Sequence, residues 1–450
     1  MNLTEVKDVL SRYSIIPSRK LGQNFLVDGN VARWIAEQLD LKADDVVVEV
    51  GPGTGALTES YFESVKQVIL IEFDARLADY LTRRFEDVEN VTVHHADGAR
   101  WDVRQLFPLG EIKLLGNLPY SAGGAIMRNF LQKPSPVSCA VLMLQKEFID
   151  RILAKERTKD YGVLTLRVQS EWVPKALKTV PPEAFHPRPA IDSTVMRLDR
   201  RKEDEFEVFD QRFFDELIRK GFAQRRKQVR KAMPEQPDWA EVAQKIDIIE
   251  TARAEELSLE QWLEASRIYD PNPLKAIPQK DDEIFDVVDE DDQVIGQDTR
   301  AAVHAKELKH RAVHVLVFNK KKELFLQKRS RLKDVHPGAW DSSAAGHLDA
   351  GEDYESCVVR ELKEELAIED AKIQFVVKLP PTADNGWEFI GLYLARYDGA
   401  VRYPCAEVEA GAWFPLEIIR EWISKRPEDF AGGFLECFAQ FEREMANRDS

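Results

Sequence analysis

The run Val46-Val47-Val48-Glu49-Val50-Gly51-Pro52-Gly53-Thr54-Gly55 sets the architecture of the first part of the chain. Its leading residues are mostly β-branched and apolar, which is typical of a buried strand. The glycines that follow let a backbone turn tightly and approach a ligand without a Cβ clash. A strand leading into such a turn indicates a nucleotide-binding sheet, although the turn alone would suit a dinucleotide equally well.

Short β-branched runs alternate with helical segments from Val46 to Leu198. Buried runs that alternate with helices indicate an α/β, Rossmann-like fold with a doubly wound and mostly parallel sheet. We predict strands at Val46–Val50, Val68–Ile71, Val91–His94, Lys113–Gly116, Cys139–Leu144, Leu164–Gln169 and Thr194–Leu198.

The rest of the sequence divides into three parts that follow a domain at 1–200. Residues 201–268 are charged and helical in pattern, without a convincing strand, which predicts a small helical domain. Residues 269–282 are broken by prolines and polar, as linkers are. Residues 283–450 have an α+β pattern, with predicted strands at 284–288, 312–318, 324–328 and 389–396 and a helix at 354–366.

The bulk composition narrows the class of protein. A chain of 450 residues is too long for one hydrophobic core, which agrees with several domains. The net charge of −16 would disfavour a nucleic-acid partner, but residues 1–270 carry only −5 of it. No apolar run could cross a membrane, and no signal peptide is recognisable. The four cysteines are scattered, so we expect reduced thiols and a cytoplasmic location.

Acidic and amide side chains stand at the ends of the strands that follow the glycine turn. Glu72 ends the next predicted strand, Asp97 follows the third, and Asn117 follows the fourth. An acid at the first of these places suits ribose hydroxyls, and one at the second suits an adenine amine. Together with Gly51 and Gly53 they favour S-adenosylmethionine over a dinucleotide.

The tetrapeptide Asn117-Leu118-Pro119-Tyr120 indicates the acceptor. The amide and the backbone carbonyl of Leu118 or Pro119 can accept hydrogen bonds from an amino group, and a tyrosine ring can stack on a base. Because the sulfonium donor is already activated, no covalent nucleophile is needed. These four residues therefore predict a catalytic site for methyl transfer to the exocyclic amine of a base, with a plain turn as the alternative.

These residues belong to a longer resemblance. From about Ser14 to Tyr269 the chain resembles the small-subunit ribosomal RNA adenine dimethyltransferases. The resemblance implies transfer of four methyl groups to two adjacent adenosines near the 3′ end of 16S rRNA in the immature small ribosomal subunit. The matching segments are Lys20–Leu26, Glu49–Thr58, Gly116–Tyr120, Leu144–Glu147, Val180–Pro189 with Asp192-Ser193, and Phe222–Lys227.

Carried over by position, the resemblance also implies roles for single residues. Phe185 would pack near the flipped target base, with ordinary core packing as the alternative. Ser121-Ala122-Gly123-Gly124-Ala125 departs from the family, which usually has a bulkier, proline-containing loop at this flank of the active site. The implied cofactor contacts come from Asn24, Leu26, Gly51, Gly53, Glu72, Asp97 and Asn117.

A basic stretch with helical character lies in the predicted helical domain. It includes Arg225, Arg226, Lys227 and Arg230. A basic helix suits an RNA phosphate backbone, so we predict that these side chains bind rRNA. The alternative is a solvated helix face.

A second constellation consists of Gly346-His347-Leu348-Asp349-Ala350-Gly351-Glu352 and Arg360-Glu361-Leu362-Lys363-Glu364-Glu365. On a helix, Glu361, Glu364 and Glu365 stand at i, i+3 and i+4 and share one face. Such crowded carboxylates need cations, and hard oxygen ligands suit Mg²⁺ or Mn²⁺. The alternative is a solvated Glu-rich helix. The glycine-containing segment at a fixed distance before the helix, with Glu352 and Arg360, argues against it.

The second constellation is similar to the Nudix box, and the resemblance covers about residues 283–430. It implies metal-assisted attack of water on a diphosphate linked to another group. A further likeness, to the isopentenyl-diphosphate isomerase branch, lies in His310-Arg311-Ala312, Phe318-Asn319, Trp340-Asp341 and Gly346-His347. It suggests a metal site of His304, His310 and His347, with surface histidines as the alternative. Ala345 replaces the cysteine that this branch needs for proton transfer, which favours diphosphate hydrolysis over isomerisation.

The leading interpretation is a bifunctional enzyme, an rRNA adenine dimethyltransferase joined to a Nudix hydrolase. A competing interpretation from another class is an RNA-binding assembly factor with vestigial catalysis, whose Nudix part senses a ligand. One position of the box departs from its consensus, since Ala367 stands where glycine is usual. We expect this change to loosen a helix terminus.

Overall fold

The computed structural model describes residues 1–18, 22–202, 204–271, 281–383 and 385–449. The chain divides into two units, Met1–Asp270 and Pro271–Ser450. Most of the predicted linker at 269–282 lies outside the described residues, as do Lys20 and Leu21 of the first matching segment. Within the described residues, no helix is both long enough and apolar enough to span a bilayer.

The helices and strands of the first unit follow in chain order. They are α1 (Leu3–Arg12), β1 (Phe25–Leu26), α2 (Gly29–Glu37), β2 (Val46–Val50), β3 (Gln67–Glu72), α3 (Ala75–Arg84), β4 (Val91–His95), β5 (Ile112–Asn117), α4 (Gly123–Leu131), β6 (Val137–Gln145), α5 (Lys146–Ile152), α6 (Val163–Gln169), β7 (Trp172–Val180), β8 (Phe185–His186), β9 (Ser193–Arg200), α7 (Gln211–Ala223), α8 (Trp239–Lys245) and α9 (Leu259–Tyr269).

A seven-stranded sheet in the order β4-β3-β2-β5-β6-β9-β7 organises the first unit. The strands from β4 to β6 are parallel, and β9 and β7 are each antiparallel to their neighbour. Val46, Val48 and Val50 of β2 pack into the core on one face, and Val47 packs into the core on the other. The predicted α/β class with a mostly parallel sheet is confirmed. The carboxyl ends of β2, β3, β4 and β5 meet at one edge.

One predicted strand is wrong, because Leu164–Gln169 lies in the helix α6. Thr165 Oγ1 accepts a hydrogen bond from Gly162 N at 3.1 Å and donates one to Arg151 O at 2.6 Å, which fixes the first turn of the helix. A short apolar run does not separate a buried strand from a buried helix. Conversely, β7 has no predicted counterpart, since it is an edge strand whose side chains, such as Lys175, are largely exposed.

The described residues after β9 in the first unit form the helices α7, α8 and α9, in agreement with the predicted helical region. Their core is built around Trp262, which is fully buried, together with Phe214 and Leu217 of α7. A short isolated bridge between Gln228 and Arg253 is the β pairing seen among the described residues of this region.

The second unit has its own sequence of helices and strands. They are β10 (Ile284–Val288), β11 (Val294–Thr299), α10 (Arg300–Ala305), β12 (His310–Phe318), β13 (Leu324–Arg329), β14 (Trp340–Asp341), β15 (Ala344–His347), α11 (Tyr354–Leu366), β16 (Lys372–Leu379), β17 (Glu388–Arg396), β18 (Val408–Phe414), α12 (Leu416–Lys425) and α13 (Gly432–Asp449).

A mixed sheet in the order β14-β13-β12-β17-β16 forms the centre of the second unit. β15 pairs with β12 and β18 pairs with β13, while β10 and β11 form a separate hairpin. The helix α11 has the bounds predicted from its sequence. Its apolar side chains, including Leu362 and Leu366, pack with Val313 and Val315 of β12. The predicted α+β class of this part is confirmed.

Glu49 interrupts the apolar run of β2 and is fully buried. Thr58 Oγ1 donates to its Oε2 at 2.7 Å, and the hydroxyl of Tyr61 donates to the same atom at 2.8 Å. Burial raises the pKa of Glu49 to about 7 in spite of these two donors. The folded protein therefore holds this carboxyl in its neutral form under mildly acidic conditions.

We expect Glu49 to make the folded protein less stable as pH rises. Its folded-state pKa of about 7 exceeds the ordinary value of 4.5. The protonated carboxyl therefore makes its full contribution to the free energy of unfolding below pH 4.5, and this contribution is lost as the pH rises to 7. The loss should be about 3 kcal/mol. Glu49→Gln should abolish this pH-dependent loss of stability, because glutamine keeps an acceptor for Thr58 and Tyr61 without a charge.

The measurement is urea unfolding of the full chain at pH 5 and pH 8, followed by tryptophan fluorescence. The variant should match the wild type at pH 5 and exceed it in stability at pH 8. Equal pH dependence in the two proteins would contradict the assignment.

Candidate functional sites

The glycine turn follows β2 directly and forms one wall of a cavity in the first unit. Gly51 and Gly53 have positive φ angles of 72° and 59°. A Cβ on Gly53 would lie 3.1 Å from the ring of Phe25, and one on Gly51 would lie 3.4 Å from the carbonyl oxygen of Asn117. Larger side chains would therefore strain the turn and crowd the cavity wall.

Glu72 is fixed at the end of β3, on the neighbouring wall of the cavity. Its Oε2 accepts a hydrogen bond from Gly53 N at 3.0 Å, and its Oε1 accepts one from Asp74 N at 2.8 Å. Burial raises the pKa of this carboxyl. The side chain is thus held between the glycine turn and the start of α3.

Asp97 lines the cavity from the loop after β4. Its Oδ1 accepts from Ala99 N at 2.9 Å, and its carbonyl oxygen accepts from Trp101 N at 2.8 Å. These bonds fix the loop from within. The structure therefore brings Asp97, Glu72 and the glycine turn together around one cavity.

The segment Gly22–Leu26 forms a further wall of the same cavity. Gln23 Nε2 donates to Asp74 Oδ2 at 3.2 Å, and Leu26 lies in β1, which pairs with β8. Asn24 Nδ2 donates to the carbonyl of Gly22 at 3.2 Å. Asn24 and Leu26, which the resemblance marks as cofactor contacts, therefore lie at the cavity.

Asn117 ends β5 and turns its side chain toward this segment. Its Nδ2 donates to the carbonyl of Asn24 at 3.1 Å. Because the amide nitrogen is used in this way, Oδ1 is the atom left to accept a further bond, and no described residue donates to it. The orientation of Asn117 leaves this oxygen available as a hydrogen-bond acceptor.

The backbone hydrogen bonds of Leu118 and Pro119 show which of the two carbonyls is available as an acceptor. Pro119 O already accepts from Ala122 N at 3.0 Å and from Gly123 N at 2.9 Å. Leu118 is tied to β6, since its N donates to Met143 O at 3.1 Å. Of the two carbonyls considered from the sequence, that of Leu118 is therefore the better acceptor for a substrate amine.

Tyr120 lines the cavity and is half-buried. Its hydroxyl forms a 2.8 Å hydrogen bond with Ser193 Oγ, at the start of β9. This contact fixes the direction of the ring. Ser193 lies in a segment that matches the family, but its role was not predicted, because only the fold brings β9 beside the residue after Pro119.

The residues that depart from the family after Tyr120 do not form a simple loop, because Gly123 and Gly124 begin α4. A Cβ on Gly123 would lie 2.3 Å from Leu144 Cδ2, so a larger residue there would displace this buried side chain. A Cβ on Gly124 would lie 3.5 Å from the ring of Phe148, which is ordinary contact. The short residues thus let α4 start close to β6.

The structure does not place Phe185 among the residues that line this cavity, and its position near a flipped base stays a prediction. Phe185 is 3% exposed and belongs to the core that contains Val180 and Val195. Its position follows from β8, in which Phe185 pairs with Leu26 of β1. The alternative, core packing, describes what the structure shows.

The basic residues do not form one helix face, contrary to the prediction. The helix α7 ends at Ala223, before Arg225. Arg225 is ion-paired with Glu255 and donates to Thr158 O at 2.8 Å, so it has a structural role. Arg226, Lys227 and Arg230 are exposed. Of the four basic residues named from the sequence, these three stay candidates for contact with RNA.

In the second unit, α11 presents the predicted carboxylates. Glu361 and Glu365 are buried, whereas Glu364 is exposed at the rim. The Arg360 guanidinium lies 2.6 Å from Glu361 and 3.3 Å from Glu364, and it also binds Glu352 at 2.9 Å. The Nudix-box residues are therefore one connected cluster in space.

The two buried carboxyls of this cluster have raised pKa values in spite of the ion pair between Arg360 and Glu361. Burial and the neighbouring Glu365 raise the pKa of Glu361, and burial raises that of Glu365. A Cβ on Gly346 would lie 2.0 Å from Glu361 Oε1, so the glycine is what lets the carboxyl sit against β15. Such a pair fits a divalent cation, which would keep both groups ionised.

A second group of ligating side chains lies in the same unit. The ligand atoms of His304, His310 and His347 are all within 4.8 Å of one another. His310 Nδ1 bonds the carbonyl of Leu308 at 2.9 Å, and His347 Nε2 bonds Glu388 Oε1 at 3.0 Å. Burial lowers the pKa of His304, to about 4, and that of His347. Neutral imidazoles are the form that binds metal.

The burial of this histidine group argues against surface histidines. His310 is fully buried, and Phe285 stacks on its ring at 5.8 Å. Among the described residues, the buried Nε2 atoms of His304 and His310 have no hydrogen-bond partner. His310 Nε2 lies 3.7 Å from Glu388 Oε1, beyond hydrogen-bond distance. Two buried imidazole nitrogens without a hydrogen bond in one cluster fit a bound metal ion.

Ala367 ends α11 in a left-handed conformation, with φ 53° and ψ 40°. Its N–H donates to the carbonyls of Leu362 and Lys363, as in a typical helix C-cap. Glycine adopts this conformation freely, whereas alanine is strained in it. The departure from the box consensus therefore affects helix stability and leaves the carboxylates in place.

Ala367→Gly should stabilise the chain by about 1 kcal/mol, because it removes this strain. Ala439→Gly is the matched control. Ala439 is exposed within α13, where the same change should destabilise by about 1 kcal/mol. Urea unfolding of both variants measures the effect, and a destabilised Ala367→Gly would contradict it.

Comparisons with known proteins found matches for both parts of the chain. Residues 17–270 match the family model described as ribosomal RNA adenine dimethylase, and residues 308–431 match the NUDIX domain model. The ribosomal RNA small subunit methyltransferase A of Clostridium acetobutylicum is 35% identical over 263 residues, which cover 57% of this chain and 95% of that protein. The protein of the same name from Bacillus cytotoxicus is 34% identical, covering 60% and 97%.

A solved structure, the 23S rRNA methyltransferase ErmE, is 27% identical with a TM-score of 0.46 and covers 55% of this chain and 100% of that one. The matching family model spans more than half of the chain, and the two bacterial relatives are covered almost completely. The chain therefore belongs to the ribosomal RNA adenine dimethylase family and carries a NUDIX domain in its C-terminal part.

Proposed function

We propose that the first unit dimethylates N6 of two adjacent adenosines near the 3′ end of 16S rRNA, with S-adenosylmethionine as the donor. The observation that carries this proposal is the orientation of Asn117. Its Nδ2 is bonded to Asn24 O at 3.1 Å, which leaves Oδ1 at the cavity wall as an acceptor for an amine. Relatives named small subunit methyltransferase A support the choice of RNA.

The residues around the cavity fit S-adenosylmethionine. The buried Glu72 carboxyl suits ribose hydroxyls, Asp97 suits the adenine amine, and the glycine turn leaves room for the ligand. When bound, the cofactor supplies an activated methyl group. The protein then has to hold the acceptor nitrogen in line and exclude water.

Three groups of the chain act on the target adenine. Asn117 Oδ1 and Leu118 O accept hydrogen bonds from its amino group, which draws the nitrogen lone pair out of conjugation with the ring. Tyr120, held by Ser193, stacks against the base. The exposed Arg226, Lys227 and Arg230 bind the RNA backbone. The enzyme works in the cytoplasm on immature small subunits.

The experiment is incubation of the purified full chain with labelled S-adenosylmethionine and immature small ribosomal subunits. We expect label in two adjacent adenosines near the 3′ end of 16S rRNA, located by mass spectrometry of nuclease fragments. Subunit binding without any incorporation would support the assembly factor with vestigial catalysis instead.

We also propose that the second unit hydrolyses a diphosphate compound with Mg²⁺ or Mn²⁺. The observation that carries this function is the buried pair Glu361 and Glu365, with Arg360 joining the cluster to Glu352. The carboxylates would hold the cation, which activates water and neutralises phosphate charge. Isomerisation of isopentenyl diphosphate is the second candidate, since the histidine group fits a metal ion. Ala345 argues against it.

A panel of nucleoside diphosphate compounds, assayed with and without Mg²⁺, tests the second proposal. We expect release of monophosphates that depends on the metal. Conversion of isopentenyl diphosphate in the absence of any hydrolysis would reverse the ranking of the two candidates.

A further inference from the structure

Gln327 is a buried amide on β13 that contacts the carboxylate pair of α11. The residue is 2% exposed. Its Nε2 donates to Glu365 Oε2 at 3.2 Å, an atom that also accepts from Ala345 N at 3.1 Å. Its Oε1 is buried and has no hydrogen-bond partner among the residues that the structure describes.

An unpartnered buried carbonyl oxygen is rare, because burial removes it from water without replacing the lost bond. The two residues opposite Gln327 in the sheet donate no hydrogen bond to its Oε1. Asp341 lies opposite it on β14 and is itself bonded by Arg329 at 2.8 Å, while Gly411 lies opposite it on β18. The sheet therefore places an acceptor without a donor beside the carboxylate pair.

A cation on Glu361 and Glu365 would settle the orientation of this amide. Both carboxylates are then ionised and can only accept hydrogen bonds. Gln327 has to direct Nε2 to Glu365, which leaves Oε1 as an acceptor. Mg²⁺ and Mn²⁺ keep water molecules as ligands, and such polarised water is a strong donor.

We propose that Gln327 is a positioning residue of the carboxylate metal site. Its Nε2 orients Glu365, and its Oε1 accepts a hydrogen bond from a water on the bound cation. This inference rests on the proposed hydrolase, because it uses the same carboxylate pair. It adds to the site a residue from a central strand, outside the glutamate-rich segments.

The test compares Gln327→Met with Gln374→Met in the full chain. Methionine keeps the approximate volume of glutamine and removes both polar atoms. Gln374 is exposed on β16 and serves as the matched control. Mn²⁺ binding is measured by electron paramagnetic resonance, counting the site that Glu361→Gln abolishes, and urea unfolding is measured with a chelator present.

Gln327→Met should weaken Mn²⁺ binding at that site at least about tenfold. Its unfolding midpoint without metal should be unchanged or higher, because an unpartnered acceptor has been removed. Gln374→Met should match the wild type in both measurements.

Three results would overturn the inference in distinguishable ways. Unchanged Mn²⁺ affinity in Gln327→Met would overturn it and leave the hydrolase standing. A joint fall in affinity and in metal-free stability would show that Gln327 merely maintains the fold. A wild-type chain without any Glu361-dependent Mn²⁺ site would overturn the hydrolase proposal and this inference together.

Discussion

Asn117→Ala is expected to slow methyl transfer to small-subunit RNA at least about 100-fold, which corresponds to nearly 3 kcal/mol of lost transition-state stabilisation. The reason is geometric. The bond from Nδ2 to Asn24 O directs Oδ1 to receive the adenine amine, and alanine offers no acceptor. The measurement is the initial rate of label incorporation from S-adenosylmethionine.

The control for this variant is Asn30→Ala, since Asn30 is exposed on α2. That change should leave the rate at the wild-type level. Cofactor affinity, measured by calorimetry, should change much less than the rate in Asn117→Ala, because the glycine turn, Glu72 and Asp97 remain. A rate within tenfold of the wild type would rule out the assigned role of Asn117.

The parts of this first site that could be predicted are those that follow from strand order. Parallel strands end at the same edge, so Glu72, Asp97 and Asn117 had to lie near the glycine turn once the strands were identified. The orientation of Asn117 could not be predicted, because its partner Asn24 is 93 residues away in the chain. The same holds for the contact between Tyr120 and Ser193.

The features that the sequence did not reveal have equally specific causes. Phe185 lies in a matching segment, but pairing of β8 with β1 buries it in the core. The basic stretch has a helical composition, yet α7 stops at Ala223 and Arg225 turns to Glu255. A run of basic residues shows that a segment is positively charged. It does not show where a helix ends or which ion pairs form, because both depend on tertiary contacts.

In the second unit the sequence predicted the helix α11 well, because its apolar residues recur with helical spacing. The spacing also placed Glu361 and Glu365 on one face, but the position of the Glu361 carboxyl depends on Gly346 of β15. Gln327 could not be identified at all, since a glutamine on a strand carries no distinguishing pattern. Only the packing of β13 against α11 gives it a role.

Glu365→Gln is expected to lower metal-dependent hydrolysis at least about 100-fold, because the cation loses a charged ligand. Glutamine keeps an oxygen that can accept from Gln327 Nε2 and Ala345 N, so the local contacts survive. The rate of monophosphate release measures the effect at saturating Mg²⁺. Glu355→Gln, an exposed change in the first turn of the same helix, should leave the rate unchanged.

Stability separates this role from that of a structural carboxylate. Burial raises the pKa of Glu365, so its ionised form is unfavourable in the metal-free fold and a neutral glutamine should be tolerated or preferred there. Glu365→Gln should therefore unfold at the same or a higher urea concentration in the presence of a chelator, while its activity is lost. Lost activity with unchanged or higher metal-free stability is expected of a metal ligand, because its carboxylate binds the cation but destabilises the metal-free fold. If activity and metal-free stability fell together, Glu365 would be a structural residue and the carboxylate pair would no longer support a hydrolase.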